Sequence, residues 1–199
     1  PTIGNHDIMS KPYDKEITET SDRDNYKQYL IFKDDGNNGA LNGMMKSYYY
    51  RFEACGVKYL FLGLGYSVSQ ADVDWAKTVL EAHPDYNVII STHAYLDDDG
   101  IPLDTEGATL TRELVLEYSN IVLVLCGHMH NDNVLLYTET RSDGSTVQAV
   151  LTNPQDYYAK ASVGVATGLY FVGNTVYVAN HLVGTQGCLG EDSVRTFEL

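Results

Sequence analysis

The apolar run 121–125 ends abruptly in the sequence Cys-Gly-His-Met-His, and this junction constrains the fold more than any other stretch. A short run of branched apolar side chains is typical of a buried strand. His128 and His130 are two residues apart, so in an extended chain their side chains point to the same side. Neutral imidazole is the commonest protein ligand for transition metals near pH 7. The junction therefore indicates either a metal site at a strand end or two solvated histidines.

Two other stretches favour the metal site. A GNHD sequence occupies residues 4–7, and the short apolar strand predicted at 87–92 is followed at once by His93. Ligands of open α/β sheets gather at the carboxyl ends of strands, and His93 lies at such an end. A lone histidine there is more often structural, so only the three stretches together indicate a metal site.

These three stretches resemble the motifs of the calcineurin-like metallophosphoesterase family. Residues 4–7 match its GNH-D/E motif, His93 matches the lone histidine that closes a central strand, and residues 127–130 match its terminal GHxH motif. The order and the separations also agree, over the chain from its first residue to about Asn180. The resemblance implies an α/β fold, a two-sheet αββα sandwich, and hydrolysis of a phosphoester substrate at two close metal ions.

The resemblance also implies a ligand set for the two ions. The carboxamide oxygen of Asn5, together with His93 and His128, would bind one ion, and His130 would bind the other. The ions would be divalent Mn, Fe or Zn, because nitrogen and oxygen ligands admit all three.

His6 and Asp7 would take part in acid–base catalysis and would not bind metal. By the same resemblance, His6 would stabilise the transition state or protonate the leaving oxygen, a task that suits a group whose pKa lies near the operating pH. Asp7 would hold His6 in its productive tautomer, as carboxylates often do for histidines.

The sequence departs from the family pattern before residue 4. The family carries two earlier motifs, D-x-H and G-D-x-x-D, which supply two aspartates and one histidine, including the carboxylate that bridges the metals. We therefore expect residues 1–199 to be a single domain, the C-terminal portion of a metallophosphoesterase domain that lacks its first strands. Such a chain would bind one ion or none and would hydrolyse phosphoesters poorly.

Two other functions remain open. The first is a non-catalytic metal- or phosphate-binding module, a pseudoenzyme on the same scaffold. The second is a small mononuclear hydrolase that uses the same four ligands, although no carboxylate is placed by a motif to support it.

Charge and composition limit the partners. A net charge of −14 and a pI near 4.6 argue against a nucleic-acid or anionic-membrane surface. No apolar run reaches membrane-spanning length. Missing first strands would leave a sheet edge exposed, which a homo-oligomer could cover. The three cysteines leave the compartment undecided, and the acidic, tyrosine-rich composition leans towards an exported bacterial protein.

Periodicity and turn signals predict the local structure. We expect Cys55 and Cys126 to be buried, because free cysteine is among the most buried residue types. The acidic loop 96–107 is predicted to be a solvated turn at Asp97, Asp98 and Asp99 in preference to a cation site. The predicted helices are 70–82 and 109–118, and the predicted strands are 48–54, 58–64, 87–92, 121–126, 133–140, 146–152, 168–172 and 175–180.

Overall fold

The computed structural model describes residues 2–5, 36–43, 46–129 and 135–151, and the backbone of four further strands within 155–198. The first seven strands are β1 (Asn38–Ala40), β2 (Ser47–Ala54), β3 (Val57–Leu64), β4 (Asn87–Thr92), β5 (Ile121–Cys126), β6 (Leu135–Thr140) and β7 (Thr146–Leu151). They form one mixed sheet in the order β1-β2-β3-β4-β5-β7-β6.

The centre of this sheet is parallel. Strands β3, β4, β5 and β7 run in one direction, while β1 and β2 at one edge and β6 at the other run antiparallel to their neighbours. Parallel neighbours need a crossover connection. Helix α1 (Gln70–Ala82) lies between β3 and β4 in the chain, and helix α2 (Glu106–Leu110) continues into a π-helical turn (Thr111–Val115) before β5.

Helix α1 begins at a capping box. Ser69 and Asp72 each accept a hydrogen bond from the other's backbone, so that two amide groups at the helix start are satisfied. Asp72 also accepts hydrogen bonds from Lys46 and Ser47 at 2.8 and 2.6 Å. Burial opposes the ionisation of Asp72, but these bonds outweigh it and hold its pKa below the ordinary value. The network fixes α1 to the start of β2.

Both faces of the large sheet are buried. The apolar stripe of α1 packs on one face with side chains of β3, β4, β5 and β7. The other face has a smaller buried cluster to which neighbouring strands contribute in turn: Tyr59, Ile89, Leu123 and Val150. Strands buried on both faces explain the uninterrupted apolar runs in β4 and β5.

The other four strands form a second, antiparallel sheet. They are β8 (Gln155–Asp156), β9 (Ser162–Val172), β10 (Thr175–Gly184) and β11 (Ser193–Glu198), in the order β11-β10-β9-β8. Two sheets and few helices confirm the predicted α/β class. No helix in the part of the chain described here is long and apolar enough to cross a membrane.

Several predicted boundaries were wrong. The second helix begins at Glu106 and not at residue 109, because Gly107 packs against the chain that leaves β4; a Cβ there would lie 2.2 Å from the Tyr95 carbonyl oxygen. Strand β9 begins at Ser162, six residues before the predicted start. Cys126 is buried as expected, but Cys55 is exposed in the β2–β3 turn with a φ of 52°.

A buried arginine joins the π-helical turn to the sheet. Arg141 is 5% exposed, and its guanidinium donates hydrogen bonds to the carbonyl oxygens of Val115, Tyr118 and Ile121 at 2.6 to 3.1 Å. These carbonyls lie at the end of a helical segment and the start of β5, where no helical partner is available. One side chain therefore binds three carbonyl oxygens along the connection.

We predict that Arg141→Ala lowers the free energy of unfolding by about 3 kcal/mol, because it leaves buried carbonyls unsatisfied. Urea unfolding followed by circular dichroism measures this loss. The matched control is Arg112→Ala, which removes an exposed guanidinium paired with Glu113 and is expected to cost less than about 1 kcal/mol. Equal losses in the two variants would show that the Arg141 contacts are not stabilising.

Candidate metal centre

Two parallel strands bring His93 and His128 to the same edge of the sheet. His93 directly follows β4, and His128 comes two residues after β5, which pairs with β4. Beyond the strands, Gly127 N donates a hydrogen bond to the His93 carbonyl oxygen at 3.0 Å. The pairing thus continues past the last ladder residues and fixes the distance between the two imidazole-bearing segments.

His128 lies at the centre of a γ-turn. Its φ is 71°, and Met129 N donates to the Gly127 carbonyl oxygen at 2.9 Å, two residues back. This turn is rare and strained, and a non-glycine residue in a sparsely populated conformation costs about 1–3 kcal/mol. Strain of this kind is retained at functional sites, where it aims a side chain that a relaxed turn would direct elsewhere.

Residues 2–5, which contain the first two residues of the GNHD sequence, lie at the same edge. The Ile3 side chain is buried, and Tyr66 N donates a hydrogen bond to the Ile3 carbonyl oxygen at 2.8 Å. At Gly4 a Cβ would lie 2.7 Å from His93 Cε1, so only glycine allows the His93 ring to lie against this backbone. The close approach brings the next residue, Asn5, up to the imidazole.

Three donor atoms converge as a result. Asn5 Oδ1 lies 2.7 Å from His93 Nε2, and His128 Nδ1 lies 3.1 Å from the same nitrogen. The single hydrogen that His93 Nε2 can carry cannot point straight at both neighbours. Ligands about 2.1 Å from one transition-metal ion lie about 3 Å apart when their bonds meet at right angles. The chemistry of the three atoms and their distances to His93 Nε2 therefore fit a divalent metal ion.

Tyr66 supports both imidazoles. Its ring centroid lies 5.5 Å from that of His93, edge to face, and 5.6 Å from that of His128. The two imidazole centroids are 4.8 Å apart. Since aromatic contacts at this range are favourable, Tyr66 restricts the rotation of the two rings.

A cavity of about 660 Å³ opens beside His128. Residues of the loop after β3, of the chain after β4 and of helix α2 line it, and among those described are Tyr66, Ser67, Val68, Ala94, Leu103, Thr105, Glu106, Thr109, His128 and Met129. This volume lies in the range of small-molecule sites and far exceeds that of one phosphate group.

Glu106 is the acidic side chain of this lining. Burial raises the pKa of its carboxyl group to about 7, although hydrogen bonds from the backbone of Val68 and Ser67 act in the opposite direction. Thr92 Oγ1, one residue before His93, lies 3.5 Å from Glu106 Oε1. A carboxyl group with such a pKa takes both protonation states near neutral pH, which is a property found at functional sites.

The structure brings together Asn5, His93 and His128, whereas His6, Asp7 and His130 lie outside the described residues and remain predictions. The sequence analysis missed Tyr66, which is one of sixteen tyrosines, and Glu106, which it placed in a loop. A glutamate at a helix start normally carries no functional signal.

The acidic loop forms a turn, as expected. Asp97 Oδ1 accepts hydrogen bonds from the backbone of Asp99 and Ile101, both at 3.0 Å. Within the described ranges, Asp97, Asp98 and Asp99 are the one group of three His, Cys, Asp or Glu residues whose ligand atoms lie within 4.8 Å of one another. Glu106 therefore does not join His93 and His128 in such a ligand set.

Comparisons with known proteins agree with this geometry. The family model of the calcineurin-like phosphoesterases matches residues 1–132, which include all three motifs. The uncharacterized protein YvnB of Bacillus subtilis (strain 168) is 32% identical over 88 residues, which are 43% of this chain and 7% of that protein. Because the family match covers more than half of the chain and contains the clustered residues, the chain belongs to the calcineurin-like phosphoesterase family.

Proposed function

We propose that Asn5, His93 and His128 bind one divalent Mn, Fe or Zn ion and that this centre serves phosphoester hydrolysis. The observation that carries the proposal is the convergence of Asn5 Oδ1 and His128 Nδ1 on His93 Nε2, at 2.7 and 3.1 Å. Metal-dependent phosphoester hydrolysis is the chemistry of the family to which the chain belongs. When bound, such an ion supplies Lewis-acid stabilisation of phosphoryl oxygens.

The charge of the donor set supports an anionic substrate. A carboxamide and two imidazoles are neutral ligands, so they do not offset the charge of a divalent cation. The chain as a whole carries a net charge of −14, and an acidic protein attracts a phosphoester only where a local positive charge compensates. A cation held by neutral ligands provides that compensation at one point of the surface.

The other motif residues complete the proposal. His6 would donate a proton to the leaving oxygen or stabilise the transition state, and Asp7 would orient its ring. His130 would bind a second ion in a complete two-metal centre. Since the three convergent donors include no carboxylate, we propose that this chain binds a single ion and has weak hydrolytic activity.

A pseudoenzyme is the second candidate, and the neutral donor set is the observation that favours it. Such a protein binds metal or phosphate through the same residues but lacks the anionic ligands that stabilise two adjacent cations. Metal binding without hydrolysis of any phosphoester would identify this alternative.

We predict that the purified chain binds one Mn, Fe or Zn ion and that His128→Ala lowers its affinity at least tenfold. Removing one of three ligands is the physical reason, since loss even of a residue that only orients a ligand typically costs 10- to 100-fold in affinity. Elemental analysis after equilibrium dialysis measures the stoichiometry, and hydrolysis of 4-nitrophenyl phosphate and its diester measures turnover.

The matched control is His83→Gln. This imidazole follows α1 and contacts the Val79 carbonyl oxygen at 2.7 Å, outside the cluster. Metal binding that is absent in the wild type, or equal in His128→Ala and His83→Gln, would refute the assignment of the ligands. Two ions per chain would refute the single-ion proposal.

We predict that Gly4→Ala also weakens metal binding, by at least tenfold, although residue 4 contributes no ligand. The new Cβ would lie 2.7 Å from His93 Cε1 and would push the ring away from Asn5. The control is Gly144→Ala, in an exposed turn where an added Cβ meets nothing within 4 Å. Its φ of 83° strains alanine and lowers stability, but metal affinity should not change. Equal affinities in the two variants would contradict a positioning role for Gly4.

A further inference from the structure

The cavity beside the metal centre has a position suited to a leaving group. His128 belongs to the cluster of donor atoms and also lines the cavity, and Tyr66 contacts both imidazoles and forms part of the same wall. A phosphoryl group held at the cluster would therefore direct one of its substituents into the cavity. This step depends on the proposed function, because it takes the cluster as the site of the phosphoryl group.

The described lining of the cavity combines an apolar part with neutral polar side chains and one acidic group. Tyr66, Val68, Ala94, Leu103 and Met129 provide apolar surface, and no lysine or arginine is present among the described lining residues. Lys46 acts electrostatically on Glu106, but its ammonium group is already bound to Asp72 at 2.8 Å and to the Ser67 carbonyl oxygen at 2.7 Å. Among these described residues, a second phosphate or a carboxylate on the substrate would find no cationic partner.

Glu106 is held firmly at this place. Its neighbour Gly107 allows α2 to approach the Tyr95 carbonyl oxygen so closely that no side chain fits between them. The backbone of Ser67 and Val68 donates hydrogen bonds to the Glu106 carboxyl group. These contacts connect α2 to the loop after β3 and fix an acceptor in the cavity without the mobility of a surface glutamate.

We propose that Glu106 is a specificity-determining residue that binds an amine or other cationic hydrogen-bond donor on the leaving group of the phosphoester substrate. The substrate class is then a phosphoester of an alcohol with an apolar body and an ammonium group, and not an ester that carries further phosphates. A charge-assisted hydrogen bond to a half-buried carboxylate is stronger than a bond between neutral groups. Burial raises the pKa of Glu106 to about 7, and a cation that enters the cavity would shift this carboxyl group towards its ionised form.

The experiment compares three phenols that differ in one substituent: 4-(2-aminoethyl)phenol, 4-propylphenol and 4-hydroxyphenylacetate. Their binding to the metal-free chain is measured by NMR titration, which requires no catalytic activity. We expect the amine to bind about tenfold more tightly than the propyl compound, and the carboxylate to bind most weakly. In Glu106→Gln the affinities for the three phenols should differ by less than about twofold.

The matched control is Glu117→Gln, which removes the same charge from an exposed position outside the cavity. It should keep the wild-type order. Equal binding of the three phenols, tighter binding of the carboxylate, or an amine preference that survives in Glu106→Gln would each overturn the proposal. If Glu106→Gln does not fold, equal binding of the three phenols to the wild type, or tighter binding of the carboxylate, still overturns the proposal.

Hydrolysis of the corresponding phenyl phosphates separates this proposal from the proposed function. An amine preference in binding with no hydrolysis of any ester would leave the Glu106 assignment standing and would refute catalysis. Hydrolysis of all three esters at equal kcat/KM, with no preference in binding, would support catalysis and would refute the Glu106 assignment.

Discussion

The parallel pairing of β4 with β5 is the interaction on which the candidate site depends. It places His93 and His128 at one edge, and the bond from Gly127 N to the His93 carbonyl oxygen extends it beyond the strands. Everything else at the site is arranged around these two segments. The γ-turn aims His128 inward, and Gly4 brings Asn5 to the His93 ring. The γ-turn and the close approach at Gly4 are both features of the backbone, so the geometry of the donor atoms follows from the fold.

The site separates two kinds of charge. At one end, neutral ligands converge on a single point, where a divalent cation would keep its full attraction for phosphate. At the other end, Glu106 places an acceptor in a partly apolar cavity. A substrate that carries a negative and a positive group on opposite sides of an apolar body matches both ends. Under the proposed function, this arrangement would allow the acidic chain to select a phosphoester without a basic surface.

The sequence predicted the elements whose signals are local. The bounds of α1, β4 and β5 agree with the predicted ranges, because a capping residue, a helical stripe and apolar runs determine them. The candidate ligands were predicted from a family resemblance, and Asn5, His93 and His128 do converge. Their binding of metal stays a prediction, as do the roles of His6, Asp7 and His130.

Features that arise from tertiary contacts escaped prediction. Helix α2 begins at Glu106 because Gly107 packs against the Tyr95 carbonyl oxygen, a contact that no sequence pattern reveals. The positive φ of His128 was equally hidden, since a histidine gives no signal for a left-handed turn. Cys55 occupies a hairpin turn with a φ of 52° and is exposed. Its position in the turn determines this exposure, so the residue type alone gave the wrong prediction.

The most direct test of the proposed centre is to identify which imidazole nitrogens bind the metal. Long-range ¹H–¹⁵N spectra of histidine-labelled protein, recorded before and after addition of Zn²⁺, distinguish Nδ1 from Nε2 in each ring. The geometry predicts that Nε2 of His93 and Nδ1 of His128 shift together, while both nitrogens of His83 stay unchanged. Shifts at the opposite nitrogens, or at neither ring, would contradict the assigned centre.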